Sequence, residues 1–301
     1  MNDINNALFW HMQYYLTILF ILFSSLTYAQ ERWAVVVGIS DYPKYPNHPE
    51  AEWTKINGAN DIELITPMLK HNGFSETNIT VLTNSQATKA NIKSAILGLN
   101  ETLKSGDIVF IHFSGHGQLI TDVDGDEGMT GYDESFIPYD AQKVYADEIY
   151  TGENHIVDDE LNGWLYSIKK KIGIKGRLVV VLDACHSGGG TRNESEDDFN
   201  DVVVRGVRDR FKIPLSDQVQ TAQPRSIDWI CISACKSLQE NEEYKGYGRL
   251  SYALSKVLIS PLTIEQLMKG LTSAYESMPL IKNHLQEPHI EYNGNKKDDV
   301  L

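Results

Sequence analysis

Along the chain, short apolar runs alternate with longer segments in which apolar residues recur at helical spacing. The apolar runs are rich in Val, Ile and Leu and lack polar interruptions, which is typical of strands buried within a sheet. They predict strands at 32–39, 78–83, 108–114 and 177–183. The periodic segments between them predict helices at 59–74 and 88–107.

The last third of the chain continues this alternation. It predicts a strand at 226–234, helices at 248–260 and 263–278, and an edge strand at 288–292. Strands separated by helices pair in parallel through right-handed crossovers, so we expect an α/β sheet covered by helices on both faces. In this interpretation, residues 30–292 form one domain.

Two segments depart from the alternation. Residues 190–225 are polar and charged without a sustained period, which predicts a mobile loop inside the domain. Residues 293–301 predict a polar C-terminal tail. Both segments are interpreted as lying outside the regular helices and strands.

The N-terminal segment has the pattern of an export signal. An apolar run within 14–30 is too short to span a bilayer comfortably, and small and polar residues follow it up to Ala29. Residues 1–29 therefore predict a signal peptide, either removed or retained as an anchor, although no Lys or Arg precedes the run. The alternative is an N-terminal helix of the fold. An export signal implies a periplasmic, cell-surface or secreted protein that meets a membrane only through an uncleaved segment.

The charge balance restricts the partners. The net charge of −14 and the pI near 5.0 disfavour nucleic acid and anionic lipid, because phosphates would be repelled over most of the surface. Cationic ions and basic peptides are favoured instead. We expect the chain to be a monomer.

The cysteines are too few for a disulfide framework. The chain has 3 of them, so at least one must stay unpaired. Cys231 and Cys235 are interpreted as small buried residues at the end of a strand. Cys185 is different, because it follows the buried strand 177–183 and precedes glycines.

A cysteine nucleophile needs a thiolate, a group that takes its proton, and room for a substrate. The adjacent His186 is a poor partner for Cys185, because neighbours in an extended segment point to opposite sides. His116 is the better candidate, since it follows the strand 108–114 between two glycines. His112 lies within that strand and is interpreted as a core residue. A metal site built from His112, His116 and Cys185 is the alternative.

Five motifs occur in the order and spacing of the metacaspase branch of the caspase-like cysteine peptidases. They are FSGHG, DGDEGMTGYDESFIPYD, IVDDEL, LDACHSGG and ISACKSLQE. The resemblance implies a caspase-like three-layer α/β/α sandwich with a mostly parallel central sheet. It implies a cysteine endopeptidase in which Cys185 attacks the scissile carbonyl and His116 transfers protons. Backbone N–H groups at Gly117 and Cys185 would then hold the oxyanion.

The resemblance also implies the substrate. Asp61 and Asp183 match the acidic positions with which the family binds Arg or Lys before the cleaved bond. Their alternative interpretations are a helix cap and a strand-end acid. If the enzyme cuts after basic residues, the polar loop offers it self-processing sites, unless it is simply a solvated loop that is never cut. These sites are Arg205, Arg208, Arg210 and Lys212.

Calcium is the one cofactor that the resemblance suggests, and no organic cofactor is expected. Asp122, Asp124 and Asp126 occupy every second position, as the first ligands of a calcium loop do, but the glycine spacing is not that of an EF-hand. The family's ligand positions are matched by Asp133, Asp158 and Asp159, whereas Arg192 stands near the place of a further family carboxylate. Alternatively, Asp158 and Asp159 cap a helix that begins near Glu160.

Two other functions stay open at this point. One is a catalytically silent caspase-like module used for binding or as a scaffold, because folds of this kind can lose activity and keep their core. The other is a different Cys–His peptidase on a related sheet, with another charge in its specificity pocket.

Overall fold

The computed structural model describes residues 30–125, 131–185, 203–207, 209–214, 227–236, 239–279, 285–294 and 297–301. Two compact units divide the chain, residues 1–31 and residues 32–301. The predicted signal segment, 1–29, lies outside the described residues. Within the described ranges, no helix has both the length and the apolar character needed to cross a membrane.

Strands and helices alternate through the second unit. In chain order the strands are β1 (Arg32–Gly38), β2 (Ile79–Thr83), β3 (Ile108–Ser114), β4 (Gly117–Thr121), β5 (Tyr132–Phe136), β6 (Ile156–Val157), β7 (Arg177–Asp183), β8 (Ile230–Ser233), β9 (Glu243–Tyr244), β10 (Tyr247–Gly248) and β11 (His289–Glu291). The helices are α1 (Ile62–His71), α2 (Lys89–Gly98), α3 (Asp158–Ile172), α4 (Arg249–Val257) and α5 (Ile264–Glu276).

The central sheet has six strands in the order β11-β8-β7-β3-β1-β2. All neighbours in it pair in parallel except β11, which runs antiparallel to β8 at one edge. A second sheet contains β4, β5 and β6, and a third contains β9 and β10. The predicted mostly parallel sheet is confirmed.

Each strand of the sheet presents alternate residues to its two faces. Val35, Ile111 and Val180 belong to one buried cluster, together with apolar residues of α2 and α3. The preceding residues of the same strands, Ala34, Phe110 and Val179, belong to a second cluster, with apolar residues of α1, α4 and α5. Because both faces are covered, the strands are apolar without gaps. The fold is the predicted three-layer α/β/α sandwich.

Several elements are shorter than predicted. The predicted helix 59–74 begins with a 3₁₀ turn, Gly58–Asp61, and continues as α1 with Pro67 inside it. The predicted helix 88–107 ends at Gly98, where a 3₁₀ turn follows. Glycine favours such an ending because its backbone freedom makes it a poor helix former.

Two segments interpreted as irregular are packed where the structure describes them. In the predicted mobile loop 190–225, Arg205 and Phe211 are fully buried, and the Phe211 backbone pairs with β4. In the predicted polar tail 293–301, Val300 and Leu301 belong to the second buried cluster. Composition did not predict the packing of either segment, because a few buried side chains anchor segments that are otherwise polar.

Candidate active site

The two candidate catalytic residues leave the sheet at the same edge. Strands β3 and β7 are parallel neighbours, and their last residues, Ser114 and Asp183, are paired. His116 and Cys185 each follow two residues later. Since ligands of open α/β sheets bind beyond the carboxyl ends of the strands, this edge is where a site is expected.

His116 is held in one orientation by the residues around it. Its ring packs against Trp53, with ring centroids 5.0 Å apart, and against Tyr42, at 5.4 Å. Its Nε2 lies 2.9 Å from the carbonyl oxygen of Thr54. A carbonyl only accepts hydrogen bonds, so Nε2 carries the hydrogen, and the neutral ring keeps its lone pair on Nδ1. Nδ1 is buried without a hydrogen-bond partner among the described residues.

Burial also sets the charge of this ring. Because His116 is fully buried, its pKa falls from 6.5 to about 4, and the hydrogen bond to Thr54 opposes this shift only in part. The imidazole is therefore neutral near pH 7. A neutral ring with its lone pair on Nδ1 can accept a proton from a thiol.

Cys185 lies under a segment of its own chain. Its thiol donates to the carbonyl oxygen of Gln239 at 2.9 Å, and the residue is only 1% exposed. The cover is residues 203–207, here called the inserted segment. A Cβ built on Gly206 would lie 2.5 Å from the carbonyl oxygen of Cys185, so only glycine allows the backbone this close.

The inserted segment is bound through its main chain, like an added β-strand. The backbone N–H of Cys185 donates to the carbonyl oxygen of Arg205 at 2.7 Å, and the Arg205 N–H donates to the carbonyl of Asn241 at 3.0 Å. The Glu243 N–H donates to the carbonyl of Val203 at 2.9 Å. Extended peptides dock in this way, with main-chain bonds for affinity and side-chain pockets for specificity.

The side chain of Arg205 fills a pocket of three acids. Its Nη1 lies 2.7 Å from Asp61 Oδ2 and 3.5 Å from Asp183 Oδ1, and its Nε lies 3.0 Å from Glu243 Oε1. All four residues are buried. Burial disfavours the charged guanidinium, but the three carboxylates outweigh it and raise the Arg205 pKa above its usual value.

The pocket acids are themselves fixed by hydrogen bonds. Asp183 accepts from Asn241 Nδ2 at 2.8 Å, from the Ser251 N–H at 2.8 Å and from Ser251 Oγ at 2.7 Å. Burial opposes ionisation of Asp183, but Arg205 and these donors outweigh it and hold the pKa of the carboxyl below its usual value. Asp61 accepts from the Gly248 N–H at 2.8 Å and from Ser114 Oγ at 2.6 Å. Asp61 makes no cap hydrogen bond, so the helix-cap interpretation is wrong.

Sequence reasoning missed Glu243, the third acid. It stands in strand β9, within a run of acids that gave no sign of which one turns inward. Gly248 was missed as well. A Cβ at that position would lie 2.1 Å from Asp183 Oδ2 and 2.3 Å from Arg205 Nη1, so Gly248 forms a wall of the pocket.

The remaining candidates are placed differently. Arg210 and Lys212 are exposed, and the Arg210 guanidinium lies 4.3 Å from the ring centroid of Tyr132. Gly117, the second predicted oxyanion donor, begins β4 opposite Phe136. Arg208, and with it His186, Asp126 and Arg192, lie outside the described residues.

The metal alternative built on the two histidines and Cys185 does not match the geometry. His112 Nε2 lies 2.9 Å from Ser251 Oγ, on the opposite face of the sheet from the clustered residues of α2 and α3. His116 Nε2 is bound to the Thr54 carbonyl, and the Cys185 thiol to that of Gln239. The three side chains are thus directed at three different partners.

A group of acids lies at the end of β4 and in β5. Carboxylate oxygens of Asp122, Asp124 and Asp133 lie within 4.8 Å of one another. This all-oxygen donor set suits a hard cation such as Ca²⁺. It contains one of the three predicted ligands, Asp133. Asp158 and Asp159 lie outside this group, in the first turn of α3, which begins two residues before the predicted start at Glu160.

The fold, with His116 and Cys185 following neighbouring strands at one edge, is the caspase fold, and the motifs are those of its metacaspase-like branch, as the sequence predicts. A family profile described as caspase domain (Peptidase_C14) matches residues 31–298. The chain belongs to this family.

Named relatives agree with this assignment. The chain is 30% identical to metacaspase-4 of Arabidopsis thaliana over 182 residues, which are 55% of this chain and 38% of that protein. It is 37% identical to metacaspase-1A of Aspergillus oryzae over 136 residues, 43% of this chain and 29% of that protein. The chain thus spans about a third of the length of the curated relatives it matches.

Solved structures share the fold at low sequence identity. Protein GSU0716 from Geobacter sulfurreducens superposes with a TM-score of 0.60 and 21% identity, covering 88% of this chain and 95% of that one. Caspase-1 from Spodoptera frugiperda superposes with a TM-score of 0.53 and 14% identity, covering 87% of this chain and 86% of that one. These similarities concern the fold alone.

Proposed function

We propose that this chain is a cysteine endopeptidase that cuts after Arg or Lys, and that its first substrate is its own Arg205–Gly206 bond. One observation carries the proposal. The Arg205 side chain lies in the acidic pocket while its carbonyl oxygen accepts from the Cys185 N–H. That is how the residue before a scissile bond would be held.

The neighbouring groups supply the chemistry. The Cys185 thiol, which donates to the Gln239 carbonyl in the uncut chain, turns to His116 Nδ1 and gives it the proton, and the thiolate then attacks the carbonyl carbon of the bound basic residue. The Cys185 N–H, which already holds this carbonyl oxygen at 2.7 Å, stabilises the oxyanion. One such donor is worth on the order of a hundredfold to a thousandfold in rate. The imidazolium then protonates the leaving amine, and water hydrolyses the thioester of the acyl-enzyme, which frees Cys185 and the carboxylate product.

The pocket accounts for the preference. A buried guanidinium is costly unless it is paired, and here three carboxylates and a serine hydroxyl receive it. An acidic or neutral side chain in its place would leave buried carboxylates without a counter-charge. Arg should be preferred to Lys, because a planar guanidinium can face several carboxylates at once whereas an ammonium acts as a point charge.

The test begins with the full chain itself. Wild-type and Cys185→Ala proteins are purified, and their fragments are identified by mass spectrometry and N-terminal sequencing. We expect the wild type to yield a fragment beginning at Gly206 and Cys185→Ala to stay whole. Arg205→Gln should prevent this cut, whereas Arg210→Gln, which alters an exposed arginine outside the pocket, should not.

A peptide panel completes the test. Peptides that differ only in the residue before the bond, Arg, Lys, Gln or Asp, are offered to the processed wild type. Cleavage after Arg and Lys alone is expected. Cleavage after Asp, or of no peptide by a folded and processed enzyme, would overturn the proposed specificity. A Gly206 fragment from the Cys185→Ala protein would assign the cut to another protease.

One observation favours a silent binding module as the second candidate. The inserted segment leaves Cys185 only 1% exposed, and an uncut chain would keep the pocket closed. A thiol-reactive probe distinguishes the two. An activated Cys185 in the processed protein labels near pH 7 and loses most of this labelling in His116→Ala, whereas a silent module labels equally slowly in both.

A further inference from the structure

A second cysteine lies beside the proposed nucleophile. Strands β7 and β8 are parallel neighbours with Leu182 paired to Ser233, and the Ala234 N–H donates to the Leu182 carbonyl at 3.1 Å. Two residues further along, this register brings Cys235 next to Ala184 and Cys185. A side-chain hydrogen bond with Cys185 is the largest of the causes that raise the pKa of Cys235 well above its usual value.

The strand geometry suits a covalent bond between these sulfurs. Neighbouring strands lie about 4.8 Å apart and rise about 3.3 Å per residue, so a diagonal pair has a Cα separation of about 6 Å. Disulfides are commonest at about this separation. Cys231 pairs with Val180 and stands four residues before Cys235 in sequence. It therefore lies about 13 Å from Cys235, which is too far for a disulfide.

We propose that Cys185 and Cys235 form a reversible disulfide under peroxide, with Cys235 as the resolving thiol. All three cysteines are reduced in the structure. The loss of activity that this disulfide would cause rests on the proposed function, because that loss requires Cys185 to be the nucleophile. The formation of the bond does not rest on it.

The chemistry balances with hydrogen peroxide as the oxidant. The Cys185 thiolate attacks peroxide, which leaves a sulfenic acid on Cys185 and releases hydroxide. The hydroxide takes the proton of Cys235, and the Cys235 sulfur displaces the second hydroxide from Cys185. This second hydroxide takes up the proton that Cys185 released on ionising, so in total two thiols and one peroxide become one disulfide and two waters.

The structure supports this order of events. A side-chain hydrogen bond with Cys185, burial and the charge of Cys185 together raise the pKa of Cys235 well above its usual value, so Cys235 remains a protonated thiol near pH 7, as a resolving thiol should. Cys185 itself is covered, but Cys235 is only half-buried. Peroxide, a small molecule, can therefore reach the pair from the side of Cys235.

The experiment reads the bond itself. Full-length protein is reduced, desalted and exposed to increasing peroxide, and the intact mass and the linked peptides are measured by mass spectrometry before and after dithiothreitol. The variants are Cys235→Ser and, as the matched control on the same strand, Cys231→Ser. Activity on an Arg peptide is followed in parallel.

The expected result is specific to this pair. Wild type and Cys231→Ser lose two hydrogens in mass and yield a peptide linking Cys185 to Cys235, which dithiothreitol reverses together with the loss of activity. Cys235→Ser instead gains oxygen atoms on Cys185 and does not fully recover. Absence of the linked peptide from oxidised wild type, or a link through Cys231, overturns the proposal. A linked peptide in a protein that cleaves nothing would keep this proposal and overturn the proposed function.

Discussion

The backbone nitrogen of Cys185 lies 2.7 Å from the carbonyl oxygen of Arg205, and it donates a hydrogen bond to it. The two residues are 20 apart in sequence, yet the chain returns to place a basic residue on the candidate nucleophile. The acidic pocket holds the guanidinium of the same residue. The inserted segment is therefore a bound peptide as well as a cover.

Glu243 should be a specificity residue. Glu243→Gln keeps the shape of the side chain but removes its charge, so one charge-assisted hydrogen bond to the basic residue is lost. Such bonds contribute about 1.5–3 kcal/mol, which predicts a loss of about tenfold to a hundredfold in kcat/KM for Arg peptides. The exposed Glu265→Gln serves as the control and should leave kcat/KM unchanged. An unchanged value for Glu243→Gln would place this acid outside the substrate pocket.

Gly248 should be intolerant of even one methyl group. Its backbone, at φ −62° and ψ 136°, permits alanine, but the new Cβ would lie where Arg205 Nη1 and Asp183 Oδ2 now stand. Gly248→Ala should therefore prevent the cut after Arg205 and the cleavage of Arg peptides while the chain still folds, as circular dichroism can show. Gly98→Ala is the matched control, because nothing lies within 4 Å of its Cβ. Normal cleavage by Gly248→Ala would contradict the pocket geometry.

Stability should fall below pH 6.5. Burial lowers the pKa of His116 to about 4 and that of His155 to about 3, from 6.5 in the unfolded chain. Between pH 6.5 and 4 the unfolded chain thus binds protons that the folded chain does not. The free energy of unfolding is then lost as the pH falls, by up to about 1.4 kcal/mol per pH unit for each group.

Urea unfolding of the uncut Cys185→Ala protein at pH 7, 6 and 5 measures this loss. His155→Gln removes one of the three buried imidazoles of the described residues, beside His112 and His116, and should reduce the slope. Equal unfolding free energies at pH 7 and pH 5 would show that these rings take up protons equally in the folded and the unfolded chain.

Calcium should bind at the acidic group rather than at the first turn of α3. We expect Ca²⁺ to raise the melting temperature of the Cys185→Ala protein, because a ligand that binds only the folded chain stabilises it. Asp122→Asn and Asp133→Asn should abolish the increase. Asp158→Asn and Asp159→Asn test the ligand set that the family resemblance implies, and Mg²⁺ tests selectivity. Identical melting temperatures in calcium and in chelator would show that calcium does not bind the folded chain.

Sequence reasoning succeeds where one physical constraint dominates. Strands β3 and β7 have the predicted bounds, because burial on both faces demands an unbroken apolar run. The loops bearing His116 and Cys185 follow from glycines at the ends of two such strands. Their meeting at one edge follows from parallel pairing.

The pocket could be predicted only in part, because segments distant in sequence build it. Asp61 and Glu243 are 182 residues apart, and no local pattern relates them. Arg205 stands in a stretch whose composition indicates a solvated loop, yet three buried carboxylates retain it. Ion pairing between distant segments determines the position of Arg205, which composition could not predict. The same ion pair engages the Asp61 side chain, which makes no cap hydrogen bond.

The inserted segment belongs to the same chain as Cys185, and this has a consequence for kinetics. A ligand that belongs to the same chain as its site acts at an effective concentration on the order of millimolar. A peptide added at lower concentration must compete with Arg205 for as long as the Arg205–Gly206 bond is intact. Progress curves of fresh enzyme should then begin with a lag, and the length of that lag should not depend on protein concentration, because each molecule removes its own competitor.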